Sequence, residues 1–169
     1  EKQEVTPQQP MRFSQEQQER LDIERIDTQR VFGLHTFFLR FRDQEILKVD
    51  FNYYPFPLIE KGGIYKGLKI ESVYDIGVDK VHTVVLRPRA RDYIDLYFII
   101  RERGYHFPDL LKQAKAKFDW DISLIELGSR LLEASEMADY PRMLKPIEHQ
   151  EWKSFFVEEG RKLKNEIFI

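Results

Sequence analysis

Two aspartates interrupt one of the most apolar stretches of the chain. In "RPRARDYIDLYFIIRER", residues 87–103, Asp92 and Asp95 lie three residues apart and lead into Leu96–Ile100. On a helix that spacing puts both carboxylates on one face. Phe98 and Ile99 stand one turn beyond Asp95, so the face is flanked by side chains that belong in a core. A carboxylate there needs a cation or several hydrogen bonds, because an unpartnered buried charge is costly. The preceding segment offers a cation. Lys80 follows Val73 by seven residues and Ile76 by four, and it precedes Val84 by four, so it rides the apolar stripe of its own helix. Lys80 is expected to meet Asp92 or Asp95, or both are expected to meet a common ligand. Such a pairing has two readings: a clamp between neighbouring helices, or a charged site facing a cleft. Arg87, Arg89 and Arg91, at alternate positions just ahead, are either a solvated face or a phosphate-binding patch.

Asp50 raises a related question. In "EILKVDFNYY" the strand period of two places Ile46, Lys48, Asp50 and Asn52 on one face and Leu47, Val49, Phe51 and Tyr53 on the other. Asp50 is either a solvent-facing strand residue or a metal-binding carboxylate projecting from a sheet. Mg²⁺ takes such oxygen ligands, with substrate phosphates completing its shell. The four histidines, His35, His82, His106 and His149, have no metal-ligand spacing, and no glycine-rich phosphate loop or nucleophile-elbow motif occurs.

Composition bounds the class. The 169 residues are 42% hydrophobic and 33% charged, which suits a globular chain with a core of its own. There is no cysteine, so disulfides and thiolate metal sites are excluded, and a cytoplasmic location is expected. The net charge of −2 means that a nucleic-acid surface would have to be a local patch. No stretch approaches the roughly 18 uninterrupted apolar residues of a membrane span, and the polar start has no signal-peptide pattern.

These side chains need elements to position them. Residues 1–12 read as a flexible tail, and "FSQEQQERLD" as a short helix capped by Ser14. Residues 13–71 form the β-rich part, with strands at 31–41 and 45–54 joined by a hairpin turn at "RDQ" and a short strand at 68–70. Residues 72–169 form the helical part. One helix starts at the N-cap Ser72, with Asp75 completing a near capping box, and stops at Pro88. Others are expected over 90–103, with Gly104 beyond the end, 108–118, 123–134 and 148–167; Trp152, Phe155, Phe156, Leu163 and Ile167 mark the buried face of the last. The fold class is therefore α+β, a small antiparallel or mixed sheet followed by a helical bundle.

Taken in order, "LKVDFNYYPFPLIE", "IESVYDIGVDKVHTVVLRPRARDYIDLYFIIRERG" and "YPRMLKPIEHQEWKSFFVEEGRKL" resemble the abortive-infection nucleotidyltransferase toxins of the AbiE/AbiG type, within the polymerase-β-like nucleotidyltransferase superfamily. The most specific part is the helix "DIGVDK" followed by "RDYIDL". The resemblance implies a Mg²⁺-dependent enzyme that transfers a nucleotide from a nucleoside triphosphate to tRNA, another RNA or a protein, paired with a cognate antitoxin. It implies that Lys80 contacts the triphosphate, that Asp92 and Asp95 complete the active site with Arg91, and that Asp50 is a third catalytic carboxylate and a metal ligand. The pattern also departs from the family. No Gly-Ser turn with an Asp-x-Asp strand pair occurs, and the only Asp-x-Asp is "DWD", Asp119 and Asp121, far downstream. With Glu rather than Met at position 1, a missing N-terminal segment is expected. The alternative is a non-catalytic module of the same fold that binds a nucleotide, RNA or a partner.

Overall fold

The computed structural model describes residues 8–18 and 20–167. The chain divides into two compact units, with the boundary between Pro55 and Phe56. Residues 56–71, grouped by sequence with the strands, therefore belong to the second unit. Residues 1–7 of the expected tail lie outside the described residues.

In the first unit, helix α1 runs Gln8–Gln18, earlier than the expected start, so Ser14 falls inside the helix and is not its cap. Three antiparallel strands follow in the order β1–β2–β3: β1 Ile23–Val31, β2 Leu34–Phe41 and β3 Ile46–Phe51. Strand β1 was not foreseen. Its residues are mostly polar, and a register shift between Ile23 and Arg25 breaks what alternation they have. The segment expected as one strand from Val31 is in fact cut by a hairpin turn. Phe32 (φ 44°) and Gly33 (φ 85°) both take the left-handed conformation of a two-residue hairpin loop whose twist matches its strands. The second hairpin turn falls at Arg42–Gln44 as expected, with Gln44 left-handed (φ 69°). Ile23, Phe37 and Leu39 form the buried centre, with Val49 and Phe51 packed against them. Asp50 points to the opposite face of β3 from Val49 and Phe51.

In the second unit a loop leads to a separate two-stranded hairpin, β4 Ile64–Tyr65 and β5 Leu68–Lys69. A Cβ on Gly62 in that loop would lie 1.8 Å from the Ile70 carbonyl oxygen, so only glycine fits there. Five helices follow: α2 Val73–Leu86, α3 Ala90–Arg103, α4 Phe107–Phe118, α5 Leu124–Glu133 and α6 His149–Ile167. Each lies within a residue or so of its sequence-predicted span. Their ends follow the local chemistry. The Asp75 N–H donates to Ser72 Oγ (2.9 Å) while the Ser72 hydroxyl donates back to the Asp75 carboxylate (2.8 Å). Gly104 closes α3 in the left-handed conformation (φ 67°). The irregular segment before α6 caps the start of α3, where the Ala90 N–H donates to Asp139 at 3.0 Å.

One core serves all five helices. Val78, Val81 and Val84 of α2 meet Tyr93, Ile94 and Leu96 of α3, Leu110 of α4, Leu127 and Leu131 of α5, and Trp152 and Phe156 of α6, all essentially without exposure. The β-branched valines of α2 weaken its intrinsic helix preference, and this burial is what overrides it. Among the described residues, no helix is long and apolar enough to cross a membrane.

Candidate nucleotide-binding site

Helices α2 and α3 are joined by Arg87–Pro88–Arg89, so they pack as neighbours and turn charged flanks toward each other. Lys80 Nζ donates to Asp92 at 2.8 Å and to Asp95 at 2.6 Å. The expected pairing is thus made with both aspartates. The three side chains differ in exposure, and the difference matters: Lys80 is 22% exposed, Asp92 6% and Asp95 53%. Asp92 is a buried anchor in the first turn of α3, where the helix dipole favours a carboxylate. Asp95 is an open contact at the solvent edge. Burial alone would lower the Lys80 pKa, but the hydrogen bonds it donates to Asp92 and Asp95 outweigh it and hold the ammonium above its ordinary value.

The arginines are arranged asymmetrically. Arg91 reaches Asp92 at 3.9 Å, a distant contact from an exposed guanidinium. Arg87 and Arg89 are exposed, and among the described residues their side chains take part in no hydrogen bond or ion pair. An uncommitted guanidinium is available to a phosphate, for which its planar fork is suited.

Asp50 belongs to the first unit. Thr36 Oγ1 donates to one of its oxygens at 2.6 Å across the β2–β3 pair, and Lys48 Nζ donates to the other at 2.7 Å. Led by the Lys48 hydrogen bond, these contacts lower its pKa below the usual carboxylate value. Both oxygens are therefore engaged and the charge is already balanced. Mg²⁺ needs uncompensated oxygen donors, so Asp50 as placed does not fit it alone. Among the described residues, no three His, Asp or Glu side chains converge as a metal cage.

A second charged cluster escaped the sequence reading. Lys117 of α4 is completely buried and reaches three carboxylates: Asp79 at 2.7 Å, Asp75 at 3.1 Å and Glu71 at 3.4 Å. Asp75 is itself fully buried. Besides Ser72 and Lys117, it accepts from the backbone N–H groups of Ile59 (2.8 Å) and Glu60 (2.9 Å). It was read only as a capping residue, and it also pins the loop ahead of β4 onto α2. A signal was present. Lys117 follows Leu110 by seven residues and Ala114 by three, so it sits on the apolar stripe of α4 as Lys80 does on that of α2.

The cluster gives acid stability two opposing components. Desolvation pushes the Asp75 pKa up, but the hydrogen bonds from Ile59, Glu60, Ser72 and Lys117 prevail and lower it. Glu71 is raised, first by burial and then by the charge of Asp79. A lowered acid stabilises the fold above its unfolded pKa of about 3.9 and loses that contribution as pH falls through the folded value. A raised acid contributes most below its unfolded pKa of about 4.3 and loses that as pH rises through its folded value. From about pH 7 to about 5 two effects oppose each other: Glu71 adds stability as it protonates, while His82, whose pKa burial lowers, withdraws some as the unfolded imidazole takes up its proton; below about pH 4 the loss from Asp75 should make the melting temperature fall. A melting temperature that stays level down to about pH 2 would contradict the Asp75 assignment.

A small antiparallel sheet followed by a helical unit is an α+β architecture consistent with a nucleotidyltransferase-like fold. Comparison with known families agrees. Residues 8–156 match the family described as nucleotidyl transferase AbiEii toxin, type IV toxin–antitoxin system, and the chain belongs to that family. No curated protein and no solved structure matches it.

Proposed function

We propose that this protein is the toxin of a cytoplasmic toxin–antitoxin system, opposed by a cognate antitoxin, and that its nucleotidyl transfer to an RNA or protein acceptor requires a metal-holding carboxylate pair in addition to the groups placed here. Its helical unit supplies the half of the site that holds the nucleoside triphosphate. The observation that carries this reading is Lys80, a charged ammonium fixed by a buried Asp92 on one side and an exposed Asp95 on the other. Asp92 keeps the ammonium aligned. Asp95 is the contact a phosphate oxygen can displace, because exchanging one exposed anion for another costs little desolvation. Arg87, Arg89 and Arg91 meet the remaining phosphate charge. When bound, Mg²⁺ would neutralise charge on the transferring phosphate. Asp50, engaged by Lys48 and Thr36, cannot hold the ion alone. This favours, as the second reading, a nucleotide- or RNA-binding module without transfer activity.

The binding assignment predicts effects of opposite sign. Lys80→Ala should weaken ATP or GTP binding by about tenfold or more, or about 1.4 kcal/mol. Asp95→Asn, which removes the competing anion, should strengthen it. Binding should weaken with salt. It should not fade between about pH 7 and 10 through loss of the Lys80 charge, because its raised pKa keeps the ammonium protonated there. Calorimetric titration of the three proteins at two salt concentrations, and of the wild type at about pH 7 and about pH 10, reads all of these. Equal affinity of the wild type and Lys80→Ala would end the assignment.

A further inference from the structure

The valine stripe of α2 is flanked by charge on both sides. Consecutive helical residues are about 100° apart, so Asp79 and Lys80 diverge from one another around the helix. Asp79 shares its side with Asp75, one turn earlier, and both reach Lys117 on α4. Lys80 reaches Asp92 and Asp95 on α3. Between the flanks lie Val78, Val81 and Val85, buried against the common core.

The two kinds of contact constrain α2 differently. Apolar burial is non-directional and tolerates a small rotation or slide of a stripe of similar valines. A charged contact of 2.7 Å, away from water, loses most of its benefit when its partners separate by an ångström or two. The roll of α2 about its axis is therefore set by ion pairs on its two flanks, not by the valines alone. The Lys117 flank is the firmer. Lys117 and Asp75 are both fully buried, and Asp75 is also held by the amides of Ile59 and Glu60. The Lys80 flank ends in the half-exposed Asp95.

We propose that Lys117 is a positioning residue for Lys80: by fixing Asp79 and Asp75, it sets the rotation of α2 that carries the Lys80 ammonium to Asp92 and Asp95. Its importance for nucleotide binding rests on the reading of Lys80 as a triphosphate ligand. The geometric part does not depend on that reading.

The experiment measures Lys80 directly. The folded protein is treated with an amine-acylating reagent near neutral pH, and the rate at Lys80 is followed by peptide mass spectrometry, alongside titration with ATP and GTP. The main variant is Asp79→Asn, which removes the 2.7 Å ion pair but leaves Lys117 its contacts with Asp75 and Glu71, so folding is retained. Lys117→Met is the second variant. Leu131→Ala, a cavity in the core outside the charged cluster, is the control for simple destabilisation. In Asp79→Asn, acylation of Lys80 is expected to rise by about tenfold, because an ammonium moved away from Asp92 and Asp95 gives up its proton more readily. Triphosphate affinity should fall by a similar factor, and Leu131→Ala should change neither. An unchanged Lys80 rate in Asp79→Asn would overturn the proposal and leave Lys117 as a clamp between α2 and α4. Faster acylation in a protein whose wild type binds no triphosphate would uphold the positioning role and refute the phosphate reading.

Discussion

Lys117→Met is expected to cost the second unit about 3–5 kcal/mol, the usual effect of removing one partner from a buried ion pair. The substitution keeps most of the side-chain volume, so the loss is electrostatic and not a cavity effect. What remains is poorly balanced. Asp75 keeps the amides of Ile59 and Glu60 and the Ser72 hydroxyl, which cushion its loss. Asp79 and Glu71 lose the ammonium at 2.7 and 3.4 Å, and their charges already act against each other. Set against a total stability of about 5–15 kcal/mol for a domain, this should lower the melting temperature by roughly 10–20 °C or prevent folding. Chemical and thermal denaturation of the two proteins at pH 7 reads the effect. A melting temperature within about 2 °C of the wild type would mean that the amide and hydroxyl donors suffice for Asp75 without a cation.

The second large effect is a separation of binding from chemistry. Incubated with labelled nucleoside triphosphates, Mg²⁺ and a pool of RNA, the 169-residue chain is expected to bind nucleotide and transfer none above background. Nucleotidyl transfer relies on charge stabilisation at the reacting phosphate, supplied by ions held between carboxylates and phosphate oxygens. In the first unit Asp50 is one carboxylate, already matched by Lys48 and Thr36. In the second unit Asp92 is committed to Lys80, and Asp95, once a phosphate takes its place on the ammonium, is a single carboxylate. Neither arrangement offers a free pair of carboxylates. Efficient labelling of RNA by this chain would refute that account. It would direct attention to Asp119 and Asp121, both exposed beyond the end of α4.

The sequence by itself determined the helical unit. Ser72, Pro88 and Gly104 act on the backbone within a few residues of themselves, so caps and stops could be read locally, and the structure keeps them. The Lys80–Asp92–Asp95 cluster was legible for a related reason. Each charge breaks an apolar period, and a short Pro-containing turn forces the two helices to be neighbours. Strand β1 was not legible, because a mostly polar edge strand with a shifted register has no periodic signal and is held by the ladder it makes with β2 and by the burial of Ile23. The apolar stripe of α4 marked Lys117, but its burial and its partners were decided by tertiary structure alone. Its partners Glu71, Asp75 and Asp79 lie about forty residues earlier. Nothing local distinguishes a lysine on the apolar face of α4 from one that reaches along its stem to solvent. Only the packing of α4 against α2 closes off the water and makes that ammonium the shared counter-charge of three carboxylates.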